Sequence, residues 1–406
     1  MPPMDADTLI VGGGLNGPLA ALALAKTGLR SIVLDARPRQ TLDAADFDGR
    51  SYAVALGSVR MLQALDLWSD LDATAQPITG IRASDGRAGE GASPLHLAFD
   101  AAEIGESFMG QMVEDRHLRP HLLSACDRAP EIDVRFGCTV TDQTVEGGLA
   151  VVTLDDGTSL RAPLLLGCDG RASGVGRRAG IGRVGTDYRQ TALVCAVEHD
   201  QPHGGVAHQF FMPPGPLAIL PLRGNRSSIV WTEDAATARE LNALSDAAYL
   251  DVLRPRFGSF LGDFRLVGAR YTYPLSLTLA QTFIGDRMAL VGDAAHGIHP
   301  IAGQGLNLGF KDIAALSHVV AEGKRRGEDF GAADVLARYQ RWRRFDTTAM
   351  GLATDAVNRL FSNDNPILRL GRDLGMGAIS AMPGARRAFI REAAGVTGDL
   401  PDLMRA

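Results

Sequence analysis

Gly292-Asp293-Ala294-Ala295-His296, running on through His299-Pro300-Ile301-Ala302-Gly303-Gln304-Gly305-Leu306-Asn307-Leu308-Gly309-Phe310-Lys311-Asp312, follows the apolar run Met288-Ala289-Leu290-Val291. A short apolar run of this kind reads as a buried strand. Ending it in Gly-Asp puts the Asp293 carboxylate at the carboxyl edge of a sheet, where α/β folds bind ligands. The Pro and Gly residues then hold an open loop, and apolar helical periodicity starts near Leu306. Amides at a helix start make a site for anionic or electron-rich groups. Taken alone, the stretch also fits a plain glycine-rich turn between strand and helix.

The amino terminus decides between these readings. Thr8-Leu9-Ile10-Val11 is a strand, and Gly12-Gly13-Gly14-Leu15-Asn16-Gly17 supplies Gly-x-Gly-x-x-Gly directly after it. Gly12 permits the tight turn, Gly14 lets backbone approach a pyrophosphate, and Gly17 allows helix to pack on sheet. Leu15 and Asn16 fall in the same turn. An Ala- and Leu-rich helix follows to Ala25, then the strand Ser31-Ile32-Val33-Leu34 closes on Asp35, suited to gripping ribose hydroxyls. Strand, glycines, helix, strand and acid in this order specify a dinucleotide site.

The 406 residues allow two domains or one large composite one. With 46% hydrophobic and 22% charged residues the chain can bury a substantial core. A net charge of −6, from 41 basic and 47 acidic residues, argues against a nucleic-acid partner. Cys126, Cys138, Cys168 and Cys195 are widely spaced, as free thiols in a reducing compartment would be. Met1 to Asp7 has no basic n-region and no segment has the apolar length of a membrane span, so a cytoplasmic chain is expected.

Along the chain, Arg50 precedes Ser51 to Leu56 and a helix; an arginine there can pair with a pyrophosphate. Ile78 to Phe99 reads as strands, with Ser84-Asp85-Gly86 as a turn between two of them. Arg116 to Leu123 reads as a helix, with Arg116 a second cofactor contact. Val134 to Val140, Ala150 to Leu154 and Ser159 to Ala162 suggest an antiparallel excursion. Leu164-Leu165-Leu166-Gly167-Cys168-Asp169-Gly170 is another apolar strand ending in a Gly-Asp turn, and Gly174 to Gly176 starts a helix rather than a second nucleotide fingerprint. From Gly185 to Tyr273 short apolar strands alternate with turns, as an inserted antiparallel sheet would. After Asp312 the chain is mostly helical.

The three markers in this order, Gly12 to Gly17, Asp169-Gly170 and Gly292-Asp293, together with His299 to Gly309, resemble the flavin-dependent aromatic hydroxylases of ubiquinone biosynthesis, the UbiH/UbiF family of p-hydroxybenzoate-hydroxylase-like flavoproteins. The resemblance implies an α/β fold with a Rossmann-like FAD-binding domain of the glutathione-reductase type, an inserted antiparallel β-sheet substrate domain and a helical C-terminal tail. The expected division is FAD-binding segments 1–75, 111–184 and 275–345, substrate-domain segments 76–110 and 185–274, and a helical region 346–406.

By the same resemblance, Asp35 holds the adenosine ribose, and Gly12, Gly14, Gly17 and Arg50 attend the phosphates. Gly292 and Asp293 meet the ribityl or pyrophosphate part. Pro300, Gly303, Gln304, Gly305, Leu306 and Asn307 line the flavin, and Asp169 and Gly170 serve both FAD and the nicotinamide. NADPH or NADH reduces the flavin, and O2 gives a C4a-hydroperoxide that hydroxylates a polyprenylated phenol or related quinone precursor. No catalytic side chain is required; His296 and His299 are the candidates for proton transfer, each weighed against a hydrogen-bonded loop histidine. A bilayer-dwelling substrate implies peripheral contact with the inner face of the membrane, or with other ubiquinone-biosynthesis proteins, with Pro366 to Met404 either the contact segment or a helical cap on the FAD domain. Two alternatives stay open: a hydroxylase of small soluble phenols, and a non-catalytic flavin-bearing subunit.

Overall fold

The computed structural model describes residues 4–42, 46–89, 91–92, 96–213, 215–298, 303–361 and 375–405. Its first layer is a six-stranded sheet in the order Ile284–Gly285, Met288–Leu290, Leu164–Gly167, Thr8–Val11, Ser31–Asp35, Ile132–Phe136. Every pair is parallel except Ile284–Gly285 with Met288–Leu290. Strands buried on both faces read as unbroken apolar runs, and Leu9, Ile10, Val33, Leu164 and Leu166 are accordingly buried. Helices Asn16–Ala25 and Gln304–Arg325 pack on this sheet and on each other.

The strand order gathers the site. In register, Val11 lies beside Leu34 on one side and Gly167 on the other, and Gly167 lies beside Leu290. The turns after these four strands therefore open at one sheet edge. They carry Gly12 to Gly17, Asp35, Asp169-Gly170 and Gly292-Asp293, which are far apart in sequence and adjacent only because of this topology.

The excursion is a three-stranded antiparallel sheet of Val140–Glu146, Leu149–Leu154 and Ser159–Ala162. Ile132–Phe136, expected to run on into it, instead extends the parallel sheet beside Ser31–Asp35. A further small sheet joins Ser51–Ala55, Gly110–Glu114 and Gln76–Ile78. Arg50 thus precedes a strand, and the helix starts only at Leu56.

The inserted unit is a nine-stranded sheet. Arg183–His199 and Phe264–Ala280 pair along nearly their whole lengths and carry it outward from His296-Gly297. Arg226–Asp234, Leu217–Leu222, Val206–Phe211, Gly80–Arg87 and Leu97–Asp100 complete its body. One pair departs from the antiparallel expectation: Val206–Phe211 runs parallel to Gly80–Arg87. Ser84-Asp85-Gly86 is not a turn but lies inside Gly80–Arg87, because Ser84 and Asp85 pair with Phe210 and Phe211 and are buried there. Local turn chemistry was overridden by tertiary pairing.

Helices Ala235–Asn242 and Asp246–Phe257 cover the outer face of this sheet, with Trp231, Tyr249, Leu253 and Phe257 as their shared core. Asp234 caps the first helix by accepting from the Ala236 and Thr237 amides at 3.0 Å. The inner face is left toward the first layer. Ala333–Phe361 and Pro383–Ala393 close over that gap, with Phe361 4.1 Å from Phe211 and Phe389 6.4 Å from Phe99 between ring centroids. Among the described residues no helix is long and apolar enough to cross a membrane.

Candidate active site

The turn after Thr8–Val11 shows three glycine roles. A Cβ at Gly12, whose φ is +113°, would sit 2.3 Å from the Cys168 carbonyl oxygen, and one at Gly17 would sit 1.8 Å from the Gly12 oxygen. Both positions are closed by backbone. Gly14 differs, since a Cβ there would meet nothing within 4 Å. It opens into two adjoining cavities, one of about 1030 Å³ and one of about 540 Å³. The fingerprint therefore packs helix on sheet at its ends and presents bare backbone to open space in its middle.

The smaller cavity lies between Gly12, Asp35, Asp169 and Gly170. Asp35 is 5% exposed and accepts from the Gly13 amide at 2.6 Å. Arg37 donates to it three times, from its amide at 2.8 Å and its guanidinium at 3.0 and 2.9 Å. Burial would raise the Asp35 carboxyl, but the Arg37 and Gly13 donors hold it below the usual carboxylate value. Asp169 accepts from Ser173 Oγ at 2.5 Å and the Val175 amide at 3.0 Å, so it orders the helix start Gly174–Arg178 at the cavity wall.

In the larger cavity Leu15 and Asn16 form one wall and Gly303, Gln304, Gly305 and Leu306 another. Gly303, at φ +64°, turns the chain into helix Gln304–Arg325. A Cβ at Gly305 would meet nothing within 4 Å, so the first turn of that helix, whose amides lack intrahelical partners, borders open space. Asn307 lines the cavity yet works as a clamp. Its Oδ1 accepts from the Ala55 amide at 2.8 Å and its Nδ2 donates to the Ala53 carbonyl at 2.8 Å. Asp293, also in the wall, accepts from Arg171 Nε at 3.2 Å. Gly292 carries no wall surface: a Cβ on it would lie 2.1 Å from Asn16 Nδ2.

Several expected contacts stand elsewhere. Arg50 pairs with Asp48 at 2.7 Å and Asp115 at 3.3 Å, and Arg116 pairs with Glu114 at 2.7 Å beneath Phe47; neither lines either of these two cavities. Arg37, Arg119 and Arg171 line the larger cavity, and Arg37, Arg177 and Arg178 line the smaller one. Arg119 donates to Asp115 Oδ1 at 2.8 Å and to the Tyr52 hydroxyl at 3.3 Å. Burial, then Asp115, pushes the Tyr52 phenol well above its usual value, so it is a neutral donor to Asp115. The Asp115–Arg119 spacing of four on a helix was a readable signal for this network.

His296 is 1% exposed and faces neither cavity; its Nε2 is 2.5 Å from Asp312 Oδ2. Its geometry is that of a structural loop histidine. His299 and Pro300 lie outside the described residues.

A cofactor with a ribose, a pyrophosphate and a flat polar ring fits these residues. Asp35 stands at one end, the bare Gly14 backbone in the middle, and the helix start at Gly303 to Leu306 at the other. Beyond that end the larger cavity becomes apolar, floored by the inserted sheet and roofed by the C-terminal helices.

Comparisons with known proteins agree with this geometry. The family described as "FAD binding domain" matches residues 5–350. Ubiquinone hydroxylase UbiL of Rhodospirillum rubrum is 44% identical, over 98% of this chain and 92% of its own length. The 3-demethoxyubiquinol 3-hydroxylase of Escherichia coli is 33% identical, over 95% of this chain and 98% of its own. Among solved structures, p-nitrophenol 4-monooxygenase PnpA of Pseudomonas putida superposes with a TM-score of 0.80 at 20% identity, covering 98% of this chain and 99% of that one, which shows a shared fold. The chain therefore belongs to the FAD-binding family of flavin-dependent hydroxylases that includes the ubiquinone hydroxylases, and FAD is its cofactor.

Proposed function

We propose that the chain hydroxylates the ring of a polyprenylated phenol, drawing electrons from NADPH or NADH and oxygen from O2. The observation that carries this reading is continuity. One cavity runs from Gly14 and Gly303 to Leu306, where FAD binds, into a chamber walled by Ile81, Phe99, Phe211, Leu220 and Ile379. A small polar phenol needs no such chamber, whereas a prenyl tail does.

Bound FAD supplies the redox and oxygen-activating chemistry. The protein's part is to hold and to exclude. Asp35 accepts from the ribose hydroxyls. Arg37, which pairs with that carboxylate and is half-exposed in the wall of both cavities, would supply positive charge to the pyrophosphate, and the Gly13 amide holds Asp35 in place. Amides at Gly303 to Leu306 offer donors to the polar edge of the ring. Asp293, Asp169 and Gly170 close the nucleotide end, and the apolar chamber keeps water from the reacting carbon.

Leu360 and Phe389 each line the chamber and are 42% and 51% exposed, so the apolar wall continues onto the surface. Arg387 and Arg391 are exposed on the Phe389 helix. An apolar rim with basic neighbours suits peripheral contact with an anionic bilayer from which the substrate enters. Residues 366–374 of the expected contact segment lie outside the described residues.

A product assay with prenylated phenols differing in ring oxygenation, each paired with its tail-less counterpart, tests the reading. Removal of the tail lowers kcat/KM by about 100-fold or more, as lost apolar burial demands. Equal kcat/KM for tailed and tail-less phenols would overturn it.

A further inference from the structure

The floor of the apolar chamber holds one feature that the binding of FAD and of a prenyl tail leaves unused. Leu97, Ala83, Gln209, Ala218 and Val230 lie opposite one another on five neighbouring strands, and all five line the cavity. Residues opposite one another across a sheet share a face. Gln209 is thus a single amide set in an apolar row, with an alanine on either side. Its own strand confirms the facing: Ala207 and Phe211, two residues away in each direction, also line the cavity. His208 between them also borders the cavity, while its ring lies 4.5 Å from Phe260.

The two alanines put the least side-chain bulk of the row on either side of Gln209. The Gln209 side chain makes no hydrogen bond among the described residues. An amide on an apolar floor offers both a donor and an acceptor, and a ligand that displaces water from it without replacing the bond pays for the loss. The ligand chemistry that satisfies it is a ring oxygen: a hydroxyl through the amide oxygen, or a carbonyl or methoxy oxygen through the amide NH2.

We propose that Gln209 is a positioning residue that hydrogen-bonds an oxygen substituent of the substrate ring and so determines which ring carbon is presented to the flavin. This rests on the reading of the chamber as the substrate site. Gln209 takes no part in bond making; it orients the ring before oxygen transfer. A ring that is bound but misoriented wastes reducing equivalents, because oxygen is then released as hydrogen peroxide.

The test uses the FAD-loaded full chain and Gln209→Met, which keeps length and flexibility but has no amide. Expected is wild-type FAD content. With a prenylated phenol, hydroxylated product per nicotinamide falls about tenfold, the loss of one oriented hydrogen bond, with the balance as hydrogen peroxide and a mixture of ring isomers. Gln209→Leu provides a second apolar replacement should Gln209→Met fail to load FAD. A variant that couples as tightly as wild type and gives the same single isomer overturns the proposal. A wild type that hydroxylates no prenylphenol fails the parent reading, and this inference with it; loss confined to the variants bears on Gln209 alone.

Discussion

His296 Nε2 lies 2.5 Å from Asp312 Oδ2, and Arg343 Nε lies 2.8 Å from the other oxygen of the same carboxylate. All three side chains are 1% exposed or less. The Gly292 amide donates to Asp312 as well, at 3.0 Å. One buried carboxylate thus ties the Gly-Asp turn to helices Gln304–Arg325 and Ala333–Phe361. Asp312→Asn leaves Arg343 buried without that counter-charge, and stability falls by about 3 kcal/mol. Chemical denaturation of the apoprotein checks it; a change under about 0.5 kcal/mol would contradict the role given to this triad.

The same carboxylate sets a pH dependence. Burial would raise Asp312, but His296 and Arg343 hold it below the usual carboxylate value, and Asp35 is likewise lowered. A lowered folded pKa means the unfolded chain takes up protons first as pH drops. The stabilisation is complete above the unfolded value of about 3.9 and is lost as pH falls through the lower folded values. Denaturation curves measured from neutral to acid show this loss in wild type and a shallower one in Asp312→Asn. Identical slopes would count against the linkage.

Gly14 and Gly17 separate binding from folding. Gly14→Val projects into the space intended for the cofactor and meets nothing within 4 Å of its Cβ, so the apoprotein keeps its stability while FAD affinity collapses. Gly17→Ala puts a Cβ 1.8 Å from the Gly12 oxygen and costs about 1–3 kcal/mol in the apoprotein. Flavin titration and thermal melts of both variants give the comparison. FAD binding to Gly14→Val at wild-type affinity would move the cofactor out of this turn.

How far the sequence could be read follows from these residues. The parallel core was legible because buried strands ending in glycine and acid announce themselves locally, and the resemblance supplied the order of the three markers. Arg116 and Arg119 are both arginines on one helix, and only packing says that Arg119 is the one lining the larger cavity. Ser84 to Gly86 misled because a turn-like tripeptide was drawn into a strand by a partner more than 120 residues away. Gln209 gave no local signal at all, because its meaning comes from the four residues beside it on other strands.

Thiol chemistry reports on the adenosine end. Burial pushes Cys126 and Cys195 up to about 12 and raises Cys168 as well. Cys138 is only partly buried and lines the smaller cavity beside Asp35. Timed alkylation of the native apoprotein labels Cys138 first, and saturating FAD slows that labelling, whereas unfolding exposes all four cysteines. Labelling of Cys138 at the same rate with and without FAD would contradict the placement of the nucleotide.

The most direct measurement supplies the FAD-loaded chain with NADH or NADPH, a prenylated phenol in anionic liposomes and isotopically labelled dioxygen, followed by mass spectrometry of the lipid. The expected product carries one labelled oxygen on the ring and accumulates nearly in step with nicotinamide consumed. Nicotinamide oxidised entirely to hydrogen peroxide, with no labelled ring from any prenylphenol, would contradict it.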